Sequence, residues 1–117
     1  MNKLEQDFYN EINHTIEQFT KTVIHSISNK NSDLSFSNFE DEYKIIQNLN
    51  LNEKAISSLK NILNELSESL IHSVFVSIDG GSSLSDNGKA LELIEYKTKK
   101  PLTELSLHEG FIESTCK

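Results

Sequence analysis

Arginine is absent from this chain. The 117 residues carry 18 acidic side chains against 11 lysines, which gives a formal net charge of −7 at pH 7. Arginine supplies bidentate contacts to phosphate groups and guanine edges, and clustered cations dominate the affinity of proteins for nucleic acids. The composition therefore argues against binding of nucleic acids and nucleotides. It favours a basic protein partner through charge complementarity, or else it serves only solubility.

Cysteine, signal-peptide features and long apolar runs are also scarce or missing. The single cysteine, Cys116, cannot form an internal disulfide. No apolar run approaches the ~20 residues that span a bilayer, and the charged N-terminus lacks the continuous apolar stretch of a signal peptide. We expect one cytoplasmic domain over residues 1–117, with neither a membrane nor a nucleic acid as its partner.

Helical periodicity is the clearest positive signal. Apolar residues at three- and four-residue steps predict a first helix from about residue 3 to 28. Its apolar face consists of Leu4, Phe8, Ile12, Ile16, Phe19, Val23 and Ile27. A loop rich in Ser and Asn follows, and the spacing of Ser37 and Glu40 predicts a capping box at the start of a second helix. Asn52 is placed to cap a third helix.

The third helix carries an apolar seam that consists of Ile56, Leu59, Leu63, Leu66 and Leu70. Such a pattern packs against another helix, so we expect most of the seam in the core, or part of it in a dimer interface. Residues 71–79 alternate as a strand would, yet no helix breaker precedes Gly80, which suits a C-terminal cap. We therefore predict that the helix runs to about Asp79, which places His72 and Asp79 on one face.

The final third of the chain has turn and strand signals. Asp86-Asn87-Gly88 predicts a turn, residues 91–96 are the strongest strand signal of the chain, and Pro101 is expected at a strand start or edge. Ser106 and Glu109 have the spacing of a capping box, which predicts a short terminal helix.

These elements together predict a mostly helical α+β fold. Three long helices packed as a bundle occupy residues 1–80, and a small antiparallel β element with a short C-terminal helix occupies residues 81–117. One hydrophobic core is expected for a chain of this length.

No signature of nucleophilic catalysis stands out, since G-x-S-x-G is missing and Cys116 lies at a terminus. Histidine and carboxylate groups could instead hold Zn²⁺, Mn²⁺ or Fe²⁺. The candidate ligands are His72, Asp79, His108 and Glu109, with Asp86 as a fifth. The structural alternative is that Glu68 pairs with His72 along the helix and that Glu109 caps its own helix.

Short motifs in the second half resemble a pattern found in small uncharacterised bacterial proteins. The motifs are Ile71-His72-Ser73, Ile78-Asp79-Gly80-Gly81, and Leu107-His108-Glu109 followed by Phe111. In the proteins that they resemble, an LHS-type helix leads to a DG stop and the chain ends near an LHE helix; this chain has Ile in place of the first Leu. Some of those small acidic proteins look like immunity proteins that neutralise a toxin, and the resemblance implies a helix through His72.

We therefore expect a non-enzymatic interaction protein without a cofactor, most concretely an immunity- or antitoxin-type inhibitor whose acidic face covers the basic cleft of a toxin. Exposed acids would carry the encounter and tyrosines would anchor the complex. The predicted partner-binding residues are Glu40, Asp41, Glu42, Tyr43 and Tyr96. Two alternatives stay open: a small metal-binding protein or metal-dependent hydrolase that uses the four candidate ligands named above, and a helical dimerisation module. The chain is accordingly expected to be a monomer or a homodimer.

Overall fold

The structure is a computed structural model that describes residues 1–81, 91–104 and 106–116. The helices within these ranges are α1 (Lys3–Ser28), α2 (Glu40–Gln47), α3 (Glu53–Ile78) and α4 (Leu107–Thr115). The chain divides into two compact units: the first comprises Met1–His14 and Ser67–Lys117, and the second comprises Thr15–Leu66. Each of the two long helices therefore contributes one end to each unit. None of the described helices combines the length and the apolarity needed to cross a membrane.

The predicted α+β fold class is wrong, because the described residues form four helices and no strand. Ile94 and Pro101 make only an isolated antiparallel bridge, although the Leu102 amide donates to the Leu93 carbonyl at 2.9 Å. Proline has no N–H to donate to a ladder, and a two-stranded ribbon without further strands is marginal. The predicted turn at 86–88 lies outside the described residues. The prediction of three long helices is also wrong, because α2 has only eight residues.

Residues 71–78 are helical, as predicted, and α3 ends in a C-terminal cap at Gly80. Gly80 has a φ of 87°, its amide donates to the Ser77 carbonyl, and the Gly81 amide donates to the Val76 carbonyl at 2.9 Å. These two bonds are those of a Schellman motif, in which glycine adopts the left-handed conformation without a Cβ penalty. This cap turns the chain immediately after Asp79 and so fixes the position of the Asp79 carboxylate.

The core of the first unit is an aromatic cluster centred on Tyr9, which is fully buried. Its ring lies within 6.4 Å of the rings of Phe75 and Phe111, measured between centroids, and its hydroxyl donates to the Leu107 carbonyl at 3.2 Å. A Cβ on Gly110 would come within 3 Å of the Tyr9 ring, so glycine permits the close approach of α4 to α1. Burial, followed by the charges of nearby carboxylates, raises the pKa of the Tyr9 phenol and keeps it a proton donor.

The second unit is organised around Gln47, whose side chain is only 6% exposed. Its amide nitrogen donates to the Ser26 carbonyl at 2.6 Å and to the Asn29 carbonyl at 3.2 Å. Because carbonyls at the end of a helix have no intrahelical donor, Gln47 satisfies the C-terminus of α1 from a distant part of the chain. The predicted Ser37 cap is wrong: α2 begins at Glu40, and the Ser37 hydroxyl instead accepts the Phe39 amide.

The third-helix seam is less buried than predicted. Asn52 caps α3 as expected, because its side-chain oxygen accepts the Ala55 amide at 2.8 Å. Leu66 and Leu70 of the seam, however, are each 63% exposed, and Ile62, which is not part of the predicted seam, is 61% exposed. These three side chains form a ridge at four-residue steps along α3, which we call the α3 ridge.

Candidate functional site

An acidic groove of about 890 Å³ opens on the first unit. The glutamates that line it are Glu5, Glu92, Glu95, Glu104, Glu109 and Glu113, and Lys100 lines it as well. They come from three parts of the chain: the first turn of α1, the loop at 92–104, and α4. Because concave walls of one charge sign focus the electric field, the groove attracts cations more strongly than the same charges on a flat surface.

The floor of the groove includes a carboxylate that is nearly removed from solvent. Glu5 is 6% exposed, and its amide is held by the Asn2 side chain at 2.8 Å. Its negative charge is one of the causes, after burial, that raise the pKa of the Tyr9 phenol. A carboxylate in such a setting has lost much of its hydration and gains from a cationic ligand.

The loop at 93–102 positions the charged groove residues Glu95 and Lys100. The Glu95 amide donates to the Lys100 carbonyl at 2.8 Å, and the Lys99 amide donates to the Glu95 carbonyl at 2.9 Å. Lys99 closes this turn with a φ of 61°. The turn also projects Tyr96, which is 83% exposed and lies 4.4 Å from the Lys99 ammonium, measured to its ring centroid. Tyr96 is therefore available to a partner next to the groove residue Glu95.

The other predicted partner-binding residues lie in the second unit. Glu40, Asp41 and Glu42 form the first turn of α2 and are exposed. The Lys44 ammonium pairs with the Glu40 carboxylate at 3.2 Å. Tyr43 is half-buried, with its ring 5.7 Å from that of Phe36 between centroids.

Asp79 holds the N-terminus of α4. Its carboxylate accepts the amides of Leu107 at 3.1 Å and of His108 at 3.0 Å, while the Ser106 hydroxyl accepts the Glu109 amide. The first three N–H groups of a helix have no intrahelical acceptor, so these bonds satisfy all three. Burial alone would raise the pKa of Asp79, but the hydrogen bonds from His108 and Leu107 outweigh it and lower that pKa.

Three of the four candidate metal ligands come together. The Nδ1 atom of His108 lies 2.5 Å from an oxygen of Asp79, and the ring centroids of His72 and His108 are 5.6 Å apart. Glu109 instead lines the acidic groove. Across the described residues, no group of three or more His, Cys, Asp or Glu side chains is placed to share one metal ion.

Sequence reasoning missed most of the groove. Five of its six glutamates lie between residues 92 and 113, so the acidic density of this segment was a signal that could have been read. Glu5 did not stand out among the other charged residues at the start of α1.

Comparisons with protein-family models, with curated proteins and with solved structures each found no match to this chain.

Proposed function

We propose that this protein is a non-enzymatic interaction protein that binds a basic protein partner through the acidic groove, most concretely as an immunity- or antitoxin-type inhibitor. The observation that carries the proposal is the gathering of six glutamates around one concavity of about 890 Å³. A net charge of −7 and the absence of arginine support it, because they disfavour anionic partners and strengthen attraction to cationic ones.

The groove is a better candidate surface than the first turn of α2. Glutamates in a concavity can surround a lysine or arginine side chain and desolvate it, which strengthens each ion pair. The acids of α2 follow one helical turn and do not line the groove, and Glu40 already pairs with Lys44. Exposed ion pairs contribute little to affinity because water and salt screen them.

The proposed complex has a protruding basic segment of the partner in the groove and the exposed ring of Tyr96 beside it. Tyrosine is enriched among the residues that dominate binding energy, because it buries a large ring at a small entropic cost. If the partner uses this basic segment to contact its own nucleic acid or substrate, the complex blocks that contact. Inhibition then follows from occupancy, without catalysis by this chain.

Two matched variants test the groove. One carries Glu92→Gln, Glu95→Gln and Glu113→Gln; the other carries Glu40→Gln, Asp41→Asn and Glu42→Gln, and each removes three negative charges. With a fluorescent lysine-rich peptide as the probe, we expect the groove variant to bind about tenfold more weakly, on the basis of about 0.5 kcal/mol for each lost pair. The α2 variant should bind within about twofold of the unaltered chain.

Equal weakening in both variants, or an affinity that does not change with salt, would contradict a groove-specific electrostatic site. The same two variants then serve as baits to capture partner proteins from a native lysate at low salt, and the bound proteins are eluted with a salt gradient. A basic partner retained by the α2 variant and lost by the groove variant would be the target. The inhibitor assignment further requires that the activity of that partner falls on titration with this protein.

The α3 ridge supports a second candidate function, self-association through α3. Ile62, Leu66 and Leu70 are each more than 60% exposed and stand on one line of the helix. Ridges at four-residue steps on two copies interdigitate in the commonest mode of helix packing, and a two-fold interface is self-complementary. The ridge residues themselves are uncharged.

Sedimentation at tens of micromolar tests self-association. We expect a dimer that the double variant Leu66→Gln, Leu70→Gln converts to a monomer, because each change places a polar side chain in an apolar interface. The control is Ile45→Gln, Leu49→Gln, whose positions are each 64% exposed and also four residues apart. A monomer in the unaltered chain, or equal loss of the dimer in both variants, would refute this candidate.

A further inference from the structure

The imidazole of His108 is held in one orientation by Asp79. The Asp79 carboxylate can only accept, so Nδ1 of His108, 2.5 Å away, carries the proton of that hydrogen bond. In the neutral ring the lone pair then lies on Nε2. Asp79 is itself fixed by two amides of α4 and is 7% exposed at its side chain.

This arrangement is the one that supports histidine ligands in metal sites. A metal-binding histidine almost always donates its second ring N–H to a carboxylate or carbonyl, which fixes the tautomer and makes the free nitrogen a stronger ligand. The His108 side chain is 28% exposed, so an ion can reach the ring. Neither the acidic groove nor the cap of α4 requires that free nitrogen.

His72 supplies a second imidazole at a suitable distance. Its ring centroid is 5.6 Å from that of His108 and the two ring planes are nearly perpendicular, at 83°. Two imidazoles bound to one ion at about 2.0–2.1 Å, with a tetrahedral angle between them, have centroids about 5 Å apart. His72 also lines a pocket of about 290 Å³ together with Glu68 and Ser69, so solvent reaches the His72 side of the site.

We propose that His72 and His108 bind one divalent transition-metal ion of the Zn²⁺ class, with Asp79 as the positioning residue and water as the remaining ligands. Imidazole nitrogens select Zn²⁺, Ni²⁺ or Cu²⁺ over Mg²⁺ and Ca²⁺, which prefer oxygen. The site joins the C-terminal part of α3 to the start of α4. It is independent of the acidic groove, so the two proposals can fail separately.

Titration calorimetry with Zn²⁺ alone tests the site on the full chain. We expect one ion per chain and an affinity that falls at least about tenfold in His72→Ala and in His108→Ala, because one of two protein ligands is lost. His14→Ala, which removes an exposed histidine of α1, should leave the affinity unchanged.

Asp79→Asn tests the positioning role separately. Loss of a carboxylate partner typically weakens metal binding by about 10–100-fold, and the imidazole resonances of His72 and His108 should still shift with Zn²⁺. The proposal is overturned by an absence of Zn²⁺ binding at millimolar concentration. It is equally overturned by Zn²⁺ binding that survives both histidine variants, or by equal binding of Ca²⁺, since these outcomes place the ion on carboxylates.

Discussion

An Asp79→Ala variant should lose about 3 kcal/mol of unfolding free energy at neutral pH. The substitution leaves the amides of Leu107 and His108 without their acceptor and removes the partner of the His108 ring. Leu107 is only 2% exposed, so water cannot fully replace the lost bond. Denaturation by urea, followed by circular dichroism, measures the change.

The deficit should depend on pH in a defined direction. Because the pKa of Asp79 is lowered in the folded protein, its carboxylate stabilises the fold above the ordinary aspartate pKa of about 3.9. That contribution is lost as the pH falls through the lowered pKa. The difference between the unaltered chain and the variant should therefore shrink in acid, below about pH 4.

Asp41→Ala is the matched control, because Asp41 is an exposed aspartate in the first turn of α2. We expect it to cost less than about 1 kcal/mol. Asp79→Asn, which retains one acceptor oxygen, should fall between the two. If Asp79→Ala were no more destabilising than Asp41→Ala, the carboxylate would not be holding α4.

A Gln47→Glu variant should destabilise the second unit by about 3 kcal/mol at neutral pH. The new carboxylate would occupy a site that is 6% exposed and would face the carbonyl oxygens of Ser26 and Asn29, which now accept from the amide. Two acceptors in contact repel each other, and a buried charge without a counter-charge is costly. Thermal and urea unfolding of the full chain measure the loss.

The Gln47→Glu defect should also be relieved by acid, but at a higher pH than the Asp79→Ala deficit, because the pKa of a buried carboxyl group without a counter-charge is raised. A protonated glutamate can donate to the Ser26 carbonyl as glutamine does, so the pKa of the introduced group would be raised in the folded state. Its stability relative to the unaltered chain is then recovered below the unfolded glutamate pKa of about 4.3 and lost as the pH rises through the raised pKa.

Gln18→Glu is the control for the Gln47 experiment, since Gln18 lies on the exposed face of α1. It should change stability by less than about 0.5 kcal/mol and without recovery in acid. A Gln47→Glu protein as stable as Gln18→Glu would mean that the α1 carbonyls do not depend on this donor.

The two proposed sites use different parts of the same unit. The acidic groove is lined by six glutamates, whereas Asp79 holds the N-terminus of α4 and the ring of His108. Replacing Glu92, Glu95 and Glu113 should therefore leave Zn²⁺ affinity unchanged, and His72→Ala should leave peptide binding unchanged. Such independence would show that charge attraction and metal coordination are separate properties of the chain.

The amino-acid sequence by itself determined the long helices and most of their ends. Residues 3–28 and 53–78 are helical, as the apolar spacing predicts. Asn52 and Ser106 cap the N-termini of α3 and α4, and Gly80 caps the C-terminus of α3, as predicted. These features depend on hydrogen bonds between residues at most five apart, so the local chain contains the information. Net charge is likewise a property of composition alone.

Tertiary structure decided which side chains are buried and which meet. Tyr9 became the centre of the core although the periodicity favoured Leu4 and Phe19, which are 47% and 69% exposed. Asp79 meets Leu107 and His108 across 28 and 29 residues, and the groove joins Glu5 to glutamates more than 80 residues later. Such contacts depend on how helices pack, for which a single sequence offers several similar apolar faces. The predicted strand is reduced to one bridge because Pro101 has no N–H to donate and no further strand pairs with the two segments within the described residues.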